Sequence, residues 1–133
     1  MRQIYTLILL SFLCACSKEQ IMKNAVIDAM TSGQWKVVNF KNDNSDVTTD
    51  FAPYTFQFKQ NLTVDAINNS SVEKTGTWTA DANAKTISST FTNANSTISL
   101  LNGTWQITDN SWDYVVASQS INGTLRSLRL EKL

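Results

Sequence analysis

The chain has 133 residues, 42% of them apolar, with 11 Lys and Arg against 11 Asp and Glu, two Cys and no His. That size suits one domain with a real core, and scattered cations at zero formal charge argue against a phosphate-neutralising face for nucleic acid. Without His, imidazole bases, His-based triads and His-ligated metals are excluded.

Residues 1–15 read as a signal peptide. Arg2 supplies the positive start, and Ile4 to Leu13 form an apolar run of about ten residues, well short of the ~18–20 that span a bilayer. Leu13-Cys14-Ala15-Cys16 resembles the lipobox of bacterial lipoproteins. The resemblance implies that Cys16 takes a diacylglycerol, the signal is removed and the new amino group is acylated. Bulky Phe12 and Leu13 disfavour Cys14 for that role. The competing reading is an ordinary secretory signal cut before Cys16, leaving a free thiol. Two or more acyl chains anchor stably where one holds only marginally. In such lipoproteins an Asp after the Cys marks inner-membrane retention, so Ser17 implies the outer membrane. Ser17-Lys18-Glu19-Gln20 resembles the export tag of surface lipoproteins in the Bacteroides group, and reads equally well as a plain tether. Periplasmic face and cell surface both stay open. Cys16 is the sole cysteine after processing, which rules out a disulfide within the chain.

Residues 16–24 are expected to be the lipidated Cys and its tether, and residues 25–133 the folded domain. Asn24 to Ser32 reads as one short helix, with Asn24 as N-cap, Met22, Val26, Ala29 and Met30 on one face, and Gly33 as its stop. Everything beyond Gly33 has strand character. Gln34–Lys41 comes first, followed by Asn42 to Phe51, the longest polar loop and a candidate mouth or lid. Pro53 precedes Tyr54, Phe56 and Phe58, which alternate with polar residues as a strand with one buried face does. Leu62, Val64 and Ala66 continue the alternation. Thr75–Ala80 and Thr86–Phe91 pair across Asp81–Ala84, and Thr104–Thr108 follows. Trp112–Ile121 and Thr124–Lys132 join at Asn122-Gly123, a two-residue type I′ hairpin signal. The expected fold is all-β, an eight-stranded antiparallel up-and-down barrel preceded by one short helix.

Gly33-Gln34-Trp35, Gly76-Thr77-Trp78 and Gly103-Thr104-Trp105 repeat one pattern, in which Gly permits a tight turn and Trp caps a sheet core. The approaches to the first and third, Val26 to Met30 and Ile98 to Asn102, are alike. An old duplication of a four-strand unit and three similar answers to one packing problem both explain this. A helix, Gly33-x-Trp35 at the first strand and a meander of about eight strands resemble the lipocalin superfamily. More closely, the chain resembles the short lipocalin-like domains of Bacteroides-group lipoproteins, whose pattern overlays Gly33–Val37, Tyr54–Phe58, Gly76–Trp78 and Gly103–Ile107. Larger lipocalins add a C-terminal helix and a disulfide, and the lack of both argues against a deep ligand cavity.

Eight strands leave a barrel that is either filled by its own side chains or holds one small ligand. Trp35, Tyr54, Phe56, Phe58, Trp78, Phe91, Trp105 and Trp112 are candidates to point inward. Trp35, Phe56 and Trp112 could also line a ligand site, with Tyr114 and Arg126 as orienting polar groups. The available carboxylates, Asp65, Glu73, Asp81, Asp109 and Asp113, are expected to be solvated rather than paired for glycoside hydrolysis. Asp43, Asn44, Asp46 and Asp50 share a loop, but Val47 and the missing Gly break the EF-hand pattern. No catalytic residue, metal or cofactor is expected. The expected partners are the membrane, through the lipid on Cys16, and a small hydrophobic or amphipathic ligand. The alternative is a protein-interaction lipoprotein, either an accessory subunit of an envelope complex or an inhibitor of a secreted enzyme.

Overall fold

The structure is a computed structural model that describes residues 21–133; the signal and the Cys16 lipobox lie outside the described residues. A helix, α1, occupies residues 21–31. It is followed by β1 (Trp35–Asn42), β2 (Ser45–Asp46), a 3-10 turn (Thr48–Phe51), β3 (Tyr54–Phe58), β4 (Thr63–Asn68), β5 (Ser71–Asp81) and β6 (Thr86–Thr90). A second helix, α2 (Ser96–Ser99), then precedes β7 (Gly103–Asn110), β8 (Tyr114–Ile121) and β9 (Thr124–Lys132). Neighbours pair in chain order, and β9 pairs back onto β1, which closes an eight-stranded antiparallel barrel with β2 as a two-residue spur.

α1 is helical already at Ile21, so Asn24 lies inside it and is not its N-cap. The helix ends where expected. Gly33 takes φ +87°, and the Trp35 indole donates to the Met30 carbonyl at 2.9 Å. The type I′ hairpin also forms, with positive φ at Asn122 and Gly123 between the paired Ile121 and Thr124.

Alternation fills the interior. Tyr54, Phe56 and Phe58 point inward from β3, Val115 and Ala117 from β8, Leu128 and Leu130 from β9. In β1 the inward set shifts from Trp35 and Val37 to Phe40, because a register shift between Val37 and Asn39 inserts one residue. Rings meet edge to face, Phe58 with Trp78 at 5.2 Å and Phe40 with Trp105 at 5.7 Å. The interior void, between Phe56, Trp105 and Leu128, is only about 40 Å³.

Two of the three Gly-x-Trp copies are alike in structure. Gly33 and Gly103 follow the two helices with positive φ, and the Trp105 indole donates to the Leu101 carbonyl as Trp35 does to Met30. Gly76 differs, because it lies inside β5. A Cβ there would stand 2.5 Å from the Thr90 carbonyl oxygen and 2.8 Å from Phe91. Five barrel strands lie between α1 and α2 and three follow α2, which does not match a doubled four-strand unit.

The polar loop Asn42 to Phe51 is pinned down rather than free. Val47 N–H donates to the Phe40 carbonyl and Phe40 N–H to Thr48 Oγ1, both at 2.9 Å. The Asp46 carboxylate accepts from the Thr48 amide and hydroxyl, which hold it below its ordinary pKa. Phe51 is buried and stacks on Phe40 at 5.1 Å. It fills the wedge where β1 and β3 diverge, since those strands share only the pair Trp35 and Phe56.

Candidate functional site

Each end of the barrel carries a helix. α2 sits between β6 and β7, with Ile98 buried and Asn95 as N-cap, its side-chain oxygen accepting from Ile98 N–H at 2.8 Å. Asn95 Nδ2 donates to the Tyr54 oxygen at 2.9 Å and to Glu73 Oε2 at 3.1 Å, while Tyr54 O–H donates to the same carboxylate at 2.8 Å. Burial pushes the Tyr54 phenol up, with the Asn95 bond opposing and Glu73 adding. This end is therefore latched by a polar cluster.

The α1 end is different. Between the helix and the rim lies a cleft of about 360 Å³, within the lower range of small-molecule sites. Its apolar wall combines Met22, Val26, Ala29 and Met30 of α1 with Trp35, Ile107 and Val115, and Asn110 and Ser111 stand at its margin. The helix face read from the sequence is thus the face that lines the cleft. Asp81 and Lys85 also line the cleft, so charged groups stand beside its apolar wall.

The site residues expected from the sequence do not converge. Trp35 is fully buried and lines the cleft. Phe56 lies deeper, in the filled interior between Tyr54 and Phe91. Trp112 is not inward. It is 57% exposed, because β8 begins two residues later and Ser111 to Asp113 form a turn closed by Ser111 N–H donating to the Tyr114 carbonyl at 2.9 Å. Its ring nevertheless covers the Lys132 ammonium, 4.3 Å from the centroid, and the same ammonium lies 5.0 Å from the Trp35 ring. Lys132 thus joins two of the five expected residues, and nothing in its local sequence marks it. Tyr114 lies on the outer face beside Arg129, which stands 4.5 Å from its ring centroid. Its phenol donates to Asp109, and that carboxylate raises its pKa. Arg126 belongs to the opposite end, bonded to Asn42 and to buried Gln119 at 3.1 Å each.

The carboxylates are not uniformly solvated. Asp65 is only 6% exposed. Lys59 Nζ pairs with it at 2.8 Å and Thr75 Oγ1 donates at 2.7 Å. The Lys59 bond holds its carboxyl below the ordinary range, burial opposes this, and Thr75 assists.

No family model matches the chain, and no curated protein matches it in sequence. In structure the chain is similar to a DUF4847 family protein from Bacteroides vulgatus, with a TM-score of 0.55 and 16% identity over 80% of this chain and 96% of that one. At so low an identity the likeness is one of fold: the closed barrel is an architecture this chain shares with a Bacteroides protein.

Proposed function

We propose that the chain is an outer-membrane lipoprotein, anchored through Cys16, that holds a small hydrophobic or amphipathic molecule in the cleft between α1 and the barrel rim. The contrast in volume supports this reading. The interior void of about 40 Å³ has no room for a ligand, whereas the rim cleft of about 360 Å³ does. The apolar wall would take the body of the molecule, and Asp81, Lys85 and the Asn110–Ser111 edge would meet its polar end. This function is binding, with no reaction assigned.

The test uses the acyl-free Cys16→Ser protein and the probe anilinonaphthalene sulfonate. Saturable probe emission, with matching quenching of tryptophan emission, is expected. Ala29→Trp, which fills the cleft from the helix side, should weaken probe binding at least tenfold while the far-UV spectrum stays unchanged. Equal affinity in Ala29→Trp would place the probe elsewhere and sink the cleft.

A further inference from the structure

We propose that the α1 end of the barrel rests on the membrane interface with Trp112 as its main anchor, a placement that rests on the lipid-anchored reading above. Residues 17–20 separate Cys16 from Ile21, the first described residue of α1. At about 3.5 Å per residue, the five steps from Cys16 to Ile21 reach at most roughly 18 Å. An acylated Cys16 therefore keeps this end beside the bilayer and leaves the Arg126 end facing away.

Exposed apolar side chains gather at that same end. Trp112 is 57% exposed, Ile21 66%, Met22 48% and Leu133 71%. Met22 and Ser111 line one cleft, so the helix start and the turn bearing Trp112 are neighbours. Leu133 follows Lys132, whose ammonium lies against the Trp112 ring. Leu62, in the turn between β3 and β4, lies at this end too, whereas exposed Val72 and Leu125 stand singly at the opposite end. An indole with one wet edge and one apolar face belongs at headgroup depth. Contact with Lys132 holds the ring at the rim, so little side-chain freedom is lost on insertion. Charges at this end are mixed, with Lys23, Lys59, Lys85 and Lys132 against Asp28, Asp81, Asp109 and Asp113. Attraction therefore comes from apolar insertion rather than from a cationic field, and it should resist salt.

The experiment uses the native protein extracted from cell envelopes. Its mass reports acylation of Cys16. It is then reconstituted into phosphatidylethanolamine and phosphatidylglycerol vesicles carrying phosphatidylcholine spin-labelled near the headgroup. Trp35, Trp78 and Trp105 are buried, so quenching by the label reads Trp112. The expected result is a quenched component that is lost in Trp112→Phe and unchanged in high salt. An acylated protein whose Trp112 is quenched by aqueous iodide but not by the label overturns the docking and leaves the anchor standing. A native Cys16 without acyl mass overturns both. A photocrosslinking residue at position 112 in intact envelopes separates the occupants. A phospholipid adduct supports the proposal, and an adduct to a second copy or another envelope protein in its place overturns it.

Discussion

Lys132 has an unusual environment: its ammonium is buried without a hydrogen-bond partner among the described residues, between the rings of Trp35 and Trp112. A desolvated cation–π contact contributes about 2 kcal/mol, whereas desolvating an ammonium costs several, with no hydrogen bond among those residues to offset it. The stem, which runs beside Gly33, is then the stabilising part. Lys132→Met keeps the stem's bulk and should raise the melting temperature, and Lys132→Ala should lower it. A fall in Lys132→Met would mean that the ammonium–indole attraction outweighs desolvation. Asp65 presents the reverse case, a buried charge with good partners. Its lowered pKa means that the stability it contributes is present above the unfolded value of about 4. That stability is lost as pH falls through the folded value. Lys59 is nearly half exposed, so solvent screening limits the loss in Asp65→Asn to about 1 kcal/mol at neutral pH. Melting curves from neutral pH down to pH ~3 should show the wild type losing its advantage in the acid range and the variant changing less.

Between single side chains and the barrel stand two short helices with unequal sequence signals. α1 was legible because Val26, Ala29 and Met30 share a face and Gly33 ends it. Its start does not follow the N-cap signal, because Asn24 is a good N-cap type but the helix already holds at Ile21. α2, four residues long, carries no periodicity that a window could detect. Its existence depends on Asn95, which caps it while bonding Tyr54 and Glu73 from β3 and β5. Asn95→Ala should therefore cost about 2 kcal/mol, the sum of a lost cap and unsatisfied partners. Amide exchange should quicken in residues 96–102 ahead of the strands. A uniform change across the chain would refute this separate latch.

Closure of the barrel is where strength is unevenly distributed. β9 runs along nearly all of β1, but β3 meets β1 at one pair. The gap is covered by side chains: Phe51 stacked on Phe40, and Lys36 Nζ donating to the Ala52 carbonyl at 3.0 Å. Phe51→Ala should cost about 3–5 kcal/mol and expose the seam, with amides of β1 and β3 exchanging faster than those of β8. Equal protection of all strands would show that the wedge is not what seals the barrel. This arrangement also explains why the candidate site moved. Inward aromatic rings and the Phe51 wedge occupy the volume where a lipocalin-like cup would hold a ligand, leaving the rim beneath α1.

Strand number, the inward face of β3, the end of α1 at Gly33 and the hairpin at Asn122-Gly123 follow from the order of residues, because two-residue periodicity and positive φ are local requirements. β8 instead turns Val115 and Ala117 inward, the opposite face to the one Trp112 suggests. The bulge that redirects Phe40, the turn that expels Trp112, the contact between Lys132 and two indoles, and the placing of Trp35 and Arg126 at opposite ends are not local. They depend on strand stagger around a closed sheet and on which distant side chain fills each gap. The cleft under α1 belongs with these, since a cavity is the space left between surfaces that meet only when the chain has folded.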